Sequence, residues 1–111
     1  MKWLVKIRFE VSDKGGFLNE AEAMQFIPSY LFKHADESIK PKWFNTKIQH
    51  NYGYDSFYIT LSYVKEFPDF SDVVLWVDEV ERNLESYFKE HKKIFRNAEF
   101  HRTGHSIYKQ E

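Results

Sequence analysis

The chain opens on its cleanest alternation. From Met1 to Ser12, Trp3, Val5, Ile7, Phe9 and Val11 fall on one face, while Lys2, Leu4, Lys6, Arg8 and Glu10 fall on the other. A period of two sustained over the whole segment predicts a strand with one buried and one mostly wet face. Ser12-Asp13-Lys14-Gly15-Gly16 breaks it, with paired glycines free to turn. The period then becomes helical. Asn19 with Glu22 resembles a capping box, and Ala23, Phe26, Ile27, Tyr30 and Leu31 recur as one apolar stripe that ends near His34 to Glu37. Pro28 lies inside the stripe, where it removes a hydrogen bond and crowds the preceding turn, so a kink or two short helices are expected.

Alternation returns after Lys40-Pro41. Phe44, Thr46 and Ile48 share one face of a strand, with Trp43, Asn45, Lys47 and Gln49 on the other. Asn51-Tyr52-Gly53-Tyr54-Asp55 reads as a turn into a second strand, in which Phe57, Ile59, Leu61 and Tyr63 oppose Tyr58, Thr60, Ser62 and Val64. Two strands joined by a short Gly/Asn turn form a hairpin. A long helix follows Phe67-Pro68, with Val73, Val77, Val80, Leu84, Tyr87 and His91 as its seam. Asp69 or Ser71 can cap its start, and Lys89, Lys92 and Lys93 crowd its end, where the helix dipole favours cations. The last strand spans Glu99 to Glu111. Phe100 and Ile107 fall on opposite faces of a straight strand, so a bulge or a tight turn at Gly104 is needed to bring both inward.

Strand, helix, strand, strand, helix, strand is the order of a ferredoxin-like βαββαβ sandwich. It predicts an α+β fold with a four-stranded antiparallel sheet and both helices on one face. At 111 residues the chain reads as one domain, 1–111. Aromatics form 19 % of it, enough to build a large core from few residues.

Composition narrows the chemistry mainly by exclusion. Without cysteine there is no disulfide, thiolate nucleophile or cysteine zinc site. The alternating N-terminus lacks the apolar run of a signal peptide, and no stretch approaches the ~20 apolar residues of a membrane span. The expectation is a cytoplasmic protein. No serine sits in a GxSxG elbow, no phosphate-cradling glycine loop occurs, and no cofactor motif is present. His101 and His105 are the best candidate metal pair, with His50 or His91 as a third ligand. On a straight strand their rings stand about 13 Å apart at ~3.3 Å per residue, too far for one ion. No metal site is expected.

Two surfaces remain. From Glu66 to Glu90 eight acids face two bases, although the whole chain has a net charge of only -1. Asp78, Glu81 and Glu85 stack at helical spacing, away from the apolar seam, and predict an acidic face for a basic protein partner. The favoured expectation is therefore a non-catalytic protein-binding module. It would be an inhibitor of a larger basic protein such as a nuclease, of the immunity or phage anti-defence type, or a domain that forms homodimers. The alternative is single-stranded nucleic-acid binding on the open sheet face through Lys6, Arg8, Trp43, Lys47, Tyr58 and Arg102, although the aromatic motif of the common RNA-binding modules is missing. An enzyme with an unrecognised site is the third reading.

Overall fold

A computed structural model of the chain describes residues 1–13, 20–51 and 54–110; the side chains at 13, 20, 44, 46–51, 54 and 55 lie outside that description. The elements are β1 (Lys2–Asp13), α1 (Glu20–His34), β2 (Trp43–Asn51), β3 (Tyr54–Glu66), α2 (Phe70–Glu90) and β4 (Glu99–Gln110). The strands are hydrogen-bonded in the order β2-β3-β1-β4, each neighbouring pair antiparallel. The proposed turns at Gly15-Gly16 and Tyr52-Gly53, and the Asn19 cap, lie outside the described residues.

Alternation in β1 and β3 does what it predicts. Trp3, Val5, Ile7, Phe9 and Val11 are buried, and so are Phe57, Ile59, Leu61 and Tyr63. Helix α2 lays Val73, Val77, Val80, Leu84 and Phe88 on this layer, and α1 adds Ala23, Ile27 and Leu31. One end of the core is aromatic. Phe9 meets Phe88 edge-on at 5.3 Å, Phe88 stacks on Phe100 at 4.0 Å, and Phe95 closes the cluster. Phe95 reaches it from the turn after α2, where Arg96 and Asn97 take positive φ and redirect the chain into β4.

The ferredoxin-like four-stranded sandwich is corrected to the broader α+β architecture. That sandwich needs every strand to bury one face beneath the helices. Among the described residues, β1 and β3 supply every buried strand side chain, whereas every position of β4 is exposed or half-buried. The cause is the composition of β4. Its helix-side positions hold Arg102 and His105 between Phe100 and Ile107, and charged groups of that kind are rarely buried without partners. The core therefore rests on the inner strands, with β4 as an exposed flank.

Two local expectations also change. Helix α1 is a single helix through Pro28 and not two short ones; the carbonyl that Pro28 leaves unpaired belongs to Met24, an exposed residue. Helix α2 ends at Glu90, with His91 as its cap, so Lys92 and Lys93 lie in the turn beyond. At its start the Asp69 side chain accepts a hydrogen bond from the Asp72 N–H at 3.1 Å. Among the described residues no helix is long and apolar enough to cross a membrane.

Candidate functional surfaces

The bulge at Gly104 decides which face each residue of β4 occupies. Arg8 pairs with Gly104 and Phe9 pairs with Arg102, so Thr103 is the extra residue. Gly104 takes φ of +138°, a conformation that side-chain-bearing residues rarely adopt. The shift puts Phe100, Arg102, His105 and Ile107 opposite Val11, Phe9, Ile7 and Val5, all on the helix side. Phe100 and Ile107 thereby pack against the core.

The same shift rewrites the acidic face. Asp78, Glu81 and Glu85 do follow one another along α2, but that line is turned towards β4. Glu81 is buried, with only 4 % of its side chain exposed. Its carboxylate accepts from His105 Nδ1 at 2.5 Å and from Arg102 Nε at 3.3 Å, one donor to each oxygen. A buried charge needs such pairing. Asp78 lies 3.9 Å from Arg102 and accepts a hydrogen bond from Arg82, which holds its carboxyl below the usual carboxylate range. Glu85 is half-buried and lines a cleft between α2 and β4 with Phe88, Phe100 and Arg102. Thus Glu81 is not on an outer face. The bases that Glu81 and Asp78 meet are the chain's own, Arg102 and His105 of β4 and Arg82 of α2.

Arg102 alternates with His101 onto the face of Phe100 and so lies on the helix side, not on the open sheet face, a second correction. The remaining residues of that set divide as follows. Lys6, Arg8 and Tyr58 alternate with the buried positions of β1 and β3 and share the open face. Trp43 pairs with Ser62, which pairs with Lys6, so Trp43 joins them at the β2 edge. Position 47 pairs with Tyr58, but the Lys47 side chain lies outside the described residues. Tyr108, opposite Leu4, is an exposed aromatic on this face that the sequence reading passed over.

The histidines disperse. His105 binds Glu81 on the helix side, while His101 pairs with Glu10 on the open side and its Nε2 lies 2.8 Å from Ser12 Oγ. The Nδ1–H of His91 donates to the Tyr87 carbonyl at 2.9 Å. The His50 side chain lies outside the described residues. Among the described residues no group of three His, Cys, Asp or Glu side chains is placed to hold a metal ion.

One surface was not anticipated. Phe70, Val74 and Leu75 are exposed on the N-terminal half of α2, Leu75 at 70 % and Phe70 at 55 %. Leu75 also lines a shallow depression with Asp78, Glu79, Arg82 and Asn83. The signal was in the sequence. Val73-Val74-Leu75-Trp76-Val77 is an unbroken apolar run inside a helix, and a helix buries only the part of such a run that faces the core. No family model, curated protein or solved structure matches this chain.

Proposed function

We propose that the protein is a non-catalytic binding module that holds a protein partner on the exposed face of α2. The observation that carries this reading is the exposure of Phe70, Val74 and Leu75, three large apolar side chains within about two turns of one helix. Scattered surface hydrophobics are ordinary, but several within two turns of one helix are what a partner covers. Asp72, Asp78 and Glu79 border the patch, so its rim is mostly acidic, with Arg82 as the counterweight.

That rim favours a foreign partner over a second copy. A two-fold contact would set the same acidic rim against itself, and like charges across an interface are unfavourable. A partner with an apolar centre and a basic border fits, and nucleases commonly present such surfaces. Blocking one by covering its basic surface is the inhibitory reading of this module.

The test is affinity capture from the native host with wild type and Leu75→Glu as baits, followed by binding kinetics on the purified partner. The expected result is a basic protein retained by wild type, with affinity reduced on the order of tenfold or more by Leu75→Glu. Asp78→Lys and Glu79→Lys slow association, and added salt slows it for wild type. A partner that binds all these variants as wild type overturns the assignment of this face. Capture of the chain by itself alone, with a sedimentation mass of a dimer, replaces the foreign partner with a second copy.

A further inference from the structure

We propose that the open face of the sheet, opposite the helices and independent of the α2 patch, binds single-stranded nucleic acid. The open face holds its bare cations, Lys6 and Arg8, at its centre. On β1 and β3 the described acids of that face, Glu10 and Glu66, lie at the two ends, opposite Tyr58 and Lys2, and Glu99 of β4 lies 3.7 Å from His101 at the Glu10 end. Lys6 and Arg8 form no ion pair among the described residues, so their charge is directed at solvent.

The strand register sets aromatic platforms around that charge. Trp43 stands at the β2 side with 40 % of its surface exposed, and Tyr108 on β4 with 50 %. Three strand spacings separate those edges, about 14 Å at ~4.8 Å each. Between them the Arg8 guanidinium lies 4.5 Å from the Tyr58 ring centre, and its Nε donates to Thr103 Oγ1 at 3.0 Å. Thr103 is the bulged residue, and its hydroxyl also donates to the Arg8 carbonyl at 3.1 Å. The bulge therefore holds Arg8 over Tyr58, as a planar cation that can stack beneath a base while it attracts phosphate. Lys6 sits 5.9 Å over the Tyr108 ring. Asn45, Thr60 and Ser106 lie among these groups and supply donors and acceptors to base edges.

Cations interleaved with aromatic platforms on a flat surface are what an unpaired strand requires. Phosphates meet the charges and unstacked bases cover the rings. A duplex keeps its bases stacked and closed to such platforms. A membrane surface would use the same cations without needing the polar groups between the rings.

The experiment is fluorescence anisotropy of short labelled oligothymidine and oligouridine with the full chain, against salt. Binding is expected, weakening as salt rises. Trp43→Ala and Tyr108→Ala are expected to reduce affinity about five- to hundredfold each, since each removes one stacked base. Arg8→Gln lowers affinity and flattens the salt dependence. Leu75→Glu leaves oligonucleotide binding unchanged, which separates this surface from the α2 patch. Thermal melts confirm that each variant folds. Failure to bind at low salt overturns the proposal. So does equal binding of a duplex, or binding that a heparin fragment matches and the two aromatic variants leave unchanged, because that is attraction of any polyanion.

Discussion

Glu81 is the residue that most changes the picture of this chain. It is the charged side chain buried among the described core residues, and both its oxygens are bonded to β4. Glu81→Gln keeps the shape but weakens two charge-assisted bonds. Arg102 and His105 are partly exposed and regain water, which limits the loss to about 1–2 kcal/mol. Glu79→Gln, on the exposed surface of the same helix, is expected to stay within about 0.5 kcal/mol. Urea unfolding of the pair measures the difference; equal midpoints would show that Glu81 contributes nothing to holding β4. Tyr63 gives a second prediction, in pH. Its hydroxyl is buried and donates to the Ile39 carbonyl at 2.6 Å, and burial pushes its ionisation far above the ordinary tyrosine value. The folded state therefore resists losing a proton that the unfolded chain gives up near pH ~10. The contribution is intact below that pH and is lost as pH rises from there towards the folded value. Tyr63→Phe is expected to lose about 1 kcal/mol at neutral pH and to flatten the alkaline fall in stability. Tyr87, pushed up to about 12 chiefly by burial, leaves a smaller alkaline slope in that variant.

Among the elements, β4 depends on one backbone angle. No atom would meet a Cβ on Gly104 within 4 Å, so the obstacle to a side chain there is conformational and not a clash. Gly104→Ala is expected to destabilise by about 1–3 kcal/mol, the range for a residue forced into a sparsely populated region. If the variant instead straightens the strand, Phe100 and Ile107 can no longer both face the core. Hydrogen exchange on β4 reports this, since amides paired with β1 would lose protection. Unchanged stability and protection would mean that the bulge does not need glycine. Helix α2 shows the converse economy. One amphipathic element buries its valine seam, fixes β4 through Glu81, and leaves Phe70, Val74 and Leu75 to solvent.

At the scale of the molecule, the two proposed surfaces lie on opposite sides of the inner strands. The α2 surface is apolar with a mostly acidic rim, and the middle of the open side sets Lys6 and Arg8 among aromatic platforms. Salt is expected to weaken association at both, but through charges of opposite sign, so charge reversal on one side leaves the other intact.

Local periodicity was legible from sequence wherever one face of an element had to be apolar. The registers of β1 and β3, the seam of α2 and the need for a shift at Gly104 all follow from where apolar residues recur, because burial acts on each residue separately. The partners of the polar residues were not legible. Asp78, Glu81 and Glu85 were rightly aligned on one helix face, yet helical spacing cannot say what stands opposite. Arg102 was assigned to the open face although plain alternation sets it on the face of Phe100. Only the pairing of β4 with β1, displaced by Thr103, turned His105 to the face that Arg102 already occupied, so that both meet Glu81. That outcome required a contact between residues 24 positions apart in sequence. The energy of such a contact depends on three-dimensional placement, and no period in the chain encodes it.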